Sequence, residues 1–208
     1  MRIAPEGRPF ILVAWLALAG LALTAPWWAA ALWLPVAIWV IAFFRDPVRE
    51  GPRGDALVIA PADGLVVSII PIDEPHVIGG AATRVSIFMN VFDVHVNRYP
   101  ATGEITFRRY TPGKFVNAAT EKAAIENEQS DVGLETPRGA MLVRQIAGLV
   151  ARRIITDHQV GTQATQGERM GLIRFGSRVD VFLPAGTPIK VAVGERTVAG
   201  VTVIAEWP

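Results

Sequence analysis

A chain of 208 residues has room for one globular domain and something more, and its 51% hydrophobic content and mean hydropathy of +0.35 place part of it out of water. The net charge of +1, with a pI near 8.2, excludes the basic stripe of a nucleic-acid binder. The absence of cysteine excludes thiol nucleophiles, disulfides, iron–sulfur clusters and thiolate zinc sites, and the three histidines, His76, His95 and His158, lack the spacing that puts two ligands on one helix face, so no metal site is predicted.

From Phe10 to Phe44 the run "FILVAWLALAGLALTAPWWAAALWLPVAIWVIAFF" holds no charged residue. It is too long for the apolar core of a signal peptide, and a second apolar stretch follows directly after "LTA", so secretion is rejected. "TAPWW" divides it into halves of about 15 and 18 residues, against roughly 20 for one spanning helix, which predicts a tight helical hairpin or an embedded re-entrant pair. Arg2 and Arg8 precede the run and Arg45, Arg49 and Arg53 follow it, a pattern that puts both ends in the cytoplasm. Five tryptophans, Trp15, Trp27, Trp28, Trp33 and Trp39, cluster as in an interfacial belt. Residues 1–44 are therefore expected to anchor the chain in a cell membrane, in preference to forming a buried hairpin of a soluble protein.

Beyond Asp55 the period shortens to strand-like pieces, among them "GLVVSII", "TRVSIFM", "GEITFRRY", "RVDVFLP" and "TVAGVTVIAE", separated by turn residues. Asn117–Gln129 is the one sustained helix-favouring stretch. No glycine-rich loop opens a helix after a strand, and no βαβα alternation occurs. Residues 45–208 are expected to form a mainly β (β-rich α+β) domain, a barrel-like sandwich of the lipoyl or biotinyl type with a helical insert. "VIAPADGLVVSI" and "QVGTQATQGERMGLIRFGS" look like the two halves of such a barrel, but Asp63-Gly64 stands where a carrier module presents its lysine.

Several residues invite more than one reading. Asp63-Gly64 has the composition of a hairpin turn. In "FDVHVNRYP", alternation puts Asp93, His95 and Asn97 on one face and Val94, Val96 and Arg98 on the other, so His95 has polar companions. Lys114, Asn117 and Lys122 read either as a solvated helix start capped by Asn117 or, with Arg98, as a cationic rim. His158 is expected to be an ordinary residue near a strand end and serves as the reserve imidazole. In "RFGSRVDVFLP", Val179, Val181 and Leu183 alternate with Asp180 and Phe182, yet Gly176 and Ser177 suit neither face of a sheet and read on their own as a bulge or turn entry.

Taken in order, Pro61-Ala62-Asp63-Gly64, "NVFDVHVNRYP", "GKFVNAATEKAAIENEQ" and "GLIRFGSRVDVFLP" resemble the phosphatidylserine decarboxylase proenzymes, short bacterial and archaeal branch, over essentially the whole chain. The resemblance implies self-cleavage between Gly176 and Ser177 into pieces 1–176 and 177–208. It further implies conversion of Ser177 to a pyruvoyl group, and decarboxylation of phosphatidylserine to phosphatidylethanolamine through a Schiff base, on a bacterial inner membrane with the catalytic domain in the cytoplasm. Glycine suits the cleavage position because its carbonyl can be approached closely and its backbone can hold a strained geometry. By the same resemblance Asp63 orients the base for self-cleavage and His95 is the candidate base and proton donor; the cationic rim of Lys114, Asn117 and Arg98, if it is one, would meet the phosphate or carboxylate of the lipid headgroup. Arg98 stands where the longer branch carries a second histidine, so either His95 covers both steps or another group shares the work. The expected partners are phosphatidylserine in the membrane and the two chains of one precursor, and a homo-oligomer is compatible with them. A non-enzymatic, membrane-tethered lipoyl-like adaptor is the alternative, and it leaves Gly176-Ser177 and "DVHVNR" unexplained.

Overall fold

The computed structural model describes residues 2–148, 153–174 and 176–208, and it divides into two units, Met1–Val48 and Arg49–Pro208.

In the first unit β1 (Arg2–Ile3), α1 (Arg8–Thr24), α2 (Trp27–Phe43) and β2 (Arg45–Asp46) follow one another. Ala25 is extended, with φ −121° and ψ 164°, and Pro26 caps the next helix, so the chain reverses at "TAPWW". The helices run antiparallel. Trp33 Nε1 donates to the Ala14 carbonyl at 2.9 Å, the Phe10 and Phe44 rings stack at 5.4 Å, and β1 pairs with β2 across the open end. Leu12, Leu16, Leu23, Trp27 and Leu32 are exposed, so the hairpin is apolar on its outside as well as along its seam. One helix, Pro5–Thr24 with its short lead-in turn, is long and apolar enough to cross a membrane, and α2 is shorter.

The second unit is mostly strand, as the alternation predicts. Its elements are β3 (Leu57–Ile59), β4 (Gly64–Glu74), β5 (Gly80–Met89), β6 (Val96–Arg98), β7 (Gly103–Thr111), α3 (Ala123–Glu126), β8 (Gln129–Thr136), β9 (Gly139–Ile146), β10 (Ile154–Thr156), β11 (Gln163–Ala164), β12 (Arg169–Ile173), β13 (Ser177–Pro184), β14 (Arg196–Thr197) and β15 (Val203–Glu206). The eight-stranded sheet runs β11-β7-β8-β9-β13-β5-β4-β14 and curls into a half-barrel, beside a three-stranded sheet β10-β12-β6 and the pair β15-β3. The named strand pairings are antiparallel.

β13 is central, with β5 on one side and β9 on the other. Val179, Val181 and Leu183 join Val66, Val85, Ile87, Met89 and Tyr99 in the core, while Arg178, Asp180 and Phe182 occupy the opposite, equally buried face. That second face lies partly under the segment between β7 and β8, where Ala123 and Ala124 pack on Ile146.

The expected helical insert is shorter than its composition suggests, since only Ala123–Glu126 is α-helical. Asn117 Oδ1 accepts from the Ala119 amide in a tight turn. At the other end Asn127 ties the chain back toward the sheet, donating to the Val116 and Ala147 carbonyls at 2.7 Å each and accepting from the Val116 amide at 2.9 Å. Side-chain bonds to the backbone here replace helical ones.

Candidate active site

The irregularity in "RFGSRVDVFLP" lies at one bond. Gly176 has φ +63°, in the left-handed region that glycine enters without a Cβ penalty, whereas Ser177 is already in β13 and paired with Met89 of β5. The Gly176 amide donates to His95 Nε2 at 3.3 Å. His95 Nδ1 lies 3.0 Å from the Asp93 carbonyl, which can only accept, so Nδ1 carries the proton and Nε2 keeps its lone pair. Both His95 and Ser177 are fully buried. Among the described residues Ser177 Oγ has no hydrogen-bond partner, an arrangement that costs about 1–3 kcal/mol for a buried hydroxyl.

Gly148, just beyond β9, completes the arrangement. A Cβ built on it would lie 1.7 Å from the Gly176 carbonyl oxygen, 2.8 Å from the carbonyl carbon and 3.3 Å from Ala118 Cβ. The carbonyl that would be attacked therefore rests directly on the Gly148 backbone, which no other residue could supply in this geometry. The sequence reading passed over Gly148. Its only local signal was a glycine ending the strand-like run "MLVRQIAG".

Asp63 sits close by in register and has other partners. Continuing the β4–β5 pairing by one residue sets Gly64 level with Met89, and hence with Ser177 one strand further on. Its neighbours are strapped in place: the Pro61 carbonyl accepts from the Arg98 amide and the Ala62 carbonyl from Thr197 Oγ1. Asp63 Oδ2 accepts from Arg49 Nη2 at 2.6 Å and Oδ1 from the Ala199 amide at 2.7 Å. The carboxylate thus braces the turn, and the Asp93 carbonyl is a main-chain partner of the imidazole. The Asp93 side chain is itself occupied by the Asn90 amide and by Arg196.

Asn97, on the face of β6 that His95 leads into, is fully buried and anchored by Gln145, whose Nε2 donates to Asn97 Oδ1 at 2.8 Å. Gln145 Oε1 in turn accepts from Thr156 at 2.8 Å. Asn97 Nδ2 points to the Met89 sulfur at 3.6 Å, so this polar line ends beside the strand partner of Ser177.

The residues expected to form a cationic rim each have partners within the protein. Arg98 Nη1 donates to the Gly167 carbonyl at 3.0 Å and braces β6 against the β11–β12 turn. Lys114 and Lys122 are exposed and share Glu126, at 3.3 and 3.6 Å. Asn117 serves its own turn, although its neighbour Ala118 is buried next to Gly148. His158 Nδ1 pairs with the hydroxyl of Tyr99 at 2.9 Å, and burial pushes that phenol up to about 12 against the opposing charge of Arg108.

Residues 36–205 match the family described as phosphatidylserine decarboxylase. A phosphatidylserine decarboxylase proenzyme of Symbiobacterium thermophilum is 49% identical over 207 residues, covering 99% of this chain and 96% of that protein. Proteins of the same name from Geobacter sulfurreducens and Nitrosomonas europaea are 47% and 45% identical, each over 99% of this chain and covering 97% and 95% of their own lengths. Likeness of this extent, over a chain whose Gly176–Ser177 bond lies against a buried imidazole, makes the protein a member of the phosphatidylserine decarboxylase family.

Proposed function

We propose that the protein is a precursor that cuts itself between Gly176 and Ser177 into chains 1–176 and 177–208, and then decarboxylates phosphatidylserine to phosphatidylethanolamine with a pyruvoyl group made from Ser177. The observation that carries this is the buried, unpartnered Ser177 Oγ one residue from an amide held by His95 Nε2. A serine hydroxyl kept without a partner fits a group that is consumed in chemistry better than one that stabilises a strand. The relatives' name, proenzyme, points the same way.

In the first step Ser177 Oγ adds to the Gly176 carbonyl as its proton passes to a base, for which His95 Nε2 is in place. The C–N bond breaks, leaving Gly176 as an ester on Oγ and Ser177 with an amino group. Loss of the Ser177 α-proton then breaks the Cβ–Oγ bond and releases Gly176 as a carboxylate. Tautomerisation and addition of one water expel ammonia and leave a ketone at residue 177, with no net oxidation. A pyruvoyl group there supplies an electron sink for loss of carbon dioxide from an α-amino carboxylate, here through a Schiff base. His95, protonated at Nε2, is placed to return a proton to the carbon that loses carbon dioxide. Asp63 supports self-cleavage from the turn it braces, and Lys114, Asn117 and Arg98 meet the anionic headgroup. The apolar hairpin, bounded by Arg2, Arg8, Arg45, Arg49 and Arg53, suits anchoring in a bacterial inner membrane with the catalytic unit in the cytoplasm.

Ser177→Ala tests this directly. The variant is expected to stay one chain, to fold, and to release no carbon dioxide from phosphatidylserine in detergent micelles. Turnover by the uncleaved alanine variant would refute the pyruvoyl chemistry.

A further inference from the structure

Arg178 follows the reactive serine and is the largest fully buried side chain among the described residues. Its guanidinium grips Asp180 with both arms, Nε to Oδ1 at 2.6 Å and Nη2 to Oδ2 at 3.0 Å. It also donates to Ser86 Oγ at 2.8 Å and the Thr120 carbonyl at 3.2 Å, and lies 3.7 Å from Glu121. Arg84 binds Glu121 on the other side and approaches Asp180 at 3.8 Å. Burial works to raise the Glu121 carboxyl, but the hydrogen bond and charge of Arg84, the charge of Arg178 and a hydrogen bond from Ser68 outweigh it and hold the group below the usual glutamate range. Two cations and two anions are thus matched on the face of β13 opposite Ser177.

A buried ionic cluster of this kind is a weak source of stability, because an apolar replacement often does as well. Its placement suggests another use. Ser177, Arg178 and Asp180 belong to the piece that begins at the proposed cut, and Ser86, Arg84, Thr120 and Glu121 belong to the other piece. Ser177 has a strand partner on one side only, Met89, whereas pairing to β9 begins at Arg178 with Ile146. A chain end with one-sided pairing frays.

We propose that Arg178 is a positioning residue whose buried contacts with Asp180, Ser86 and the Thr120–Glu121 segment hold residue 177 at His95 once the bond to Gly176 is gone. The inference rests on the processing proposed above. The guanidinium touches no reacting atom, and in the precursor the peptide bond does the same holding.

The test uses full-length protein carrying Arg178→Lys or Glu121→Gln, each in the self-processing chain and in the Ser177→Ala precursor. Hydrogen exchange of residues 178–183 is measured for each, and steady-state decarboxylation for the processed chains. In processed Arg178→Lys, exchange at the start of the small chain should rise at least about tenfold, with kcat down by about tenfold and KM unchanged. In the Ser177→Ala background the same substitution should change exchange by less than about threefold. Glu121→Gln, which alters a largely exposed partner, should move both readouts in the same direction by about threefold. Equal acceleration before and after cleavage would reduce the cluster to ordinary scaffolding and overturn the inference. So would processed variants with native exchange and kcat. If Arg178→Lys does not fold, native exchange in processed Glu121→Gln overturns it instead. An unprocessed wild-type chain would remove the processing itself and this inference with it, a result distinct from cleavage without the exchange effect.

Discussion

His95 holds its proton on Nδ1 and its lone pair on Nε2, toward the Gly176–Ser177 junction, because the Asp93 carbonyl can only accept. His95→Ala should therefore slow cleavage by at least about 100-fold, and any processed fraction should turn over poorly per mole of carbonyl. Cleavage followed on gels, with activity normalised to small chain, checks both; normal values in the two assays would remove His95 from the site. Asp63→Asn should act less severely, since an amide oxygen can still accept from the Ala199 backbone while the charge pair with Arg49 is lost. Cleavage is expected to slow by about threefold to tenfold, with the specific activity of the processed fraction largely kept. Gly148→Ala is the sharpest single change at this scale, because its methyl would fall on the Gly176 carbonyl oxygen. It should abolish cleavage in a protein that still melts cooperatively, and rapid cleavage in that variant would show that the carbonyl does not rest where the structure puts it. The types of residue at the site were legible, since glycine before serine and a histidine among polar neighbours are local patterns. Gly148 and Gln145 were not. Their importance comes from which strand ends meet, and nothing within "RQIAG" records that the Gly176 carbonyl will lie across it. The partners of Asp63 were hidden for a similar reason: Arg49 and Ala199 lie 14 and 136 positions away.

Strand β13 shows how an element turns a local irregularity into a site. Its apolar alternation was readable and correctly predicts Val179, Val181 and Leu183 in the core. The burial of Arg178 and Asp180 on its other face could not be read from the same alternation, which marks them as solvent-facing. They are buried because the segment between β7 and β8 covers them and supplies matching groups. That segment also shows where helix propensity loses: alanines and glutamates favour a helix over Asn117–Gln129, but Asn127 gains three backbone partners by ending it early. The N-terminal hairpin was clear from composition, reversal point included, because a long uncharged run interrupted by Ala25-Pro26 leaves few alternatives. Deleting residues 1–44 should yield a protein that no longer sediments with membranes yet still cleaves itself. Sedimentation and gel analysis of the truncated chain test this, and a folded, soluble, uncleaved product would assign the hairpin a part in the reaction.

Over the whole molecule, the sequence predicted an apolar hairpin and a β-rich domain, and both are present as separate units. The cut is proposed inside the second unit, at the first bond of its central strand, so the small chain would remain woven between β5 and β9 after cleavage. Separation should then require denaturant, although no covalent link joins the pieces. The most direct test of the central claim is the intact mass of the purified full-length protein under denaturing conditions. Two species are expected, one ending at Gly176 and one running from residue 177 to Pro208. The smaller should weigh one NH₃ less than a peptide with free serine at its start, because the water lost on elimination is regained when the imine hydrolyses, and should react with a hydrazine at its blocked end. A single species of full-length mass that nevertheless decarboxylates phosphatidylserine would contradict the account.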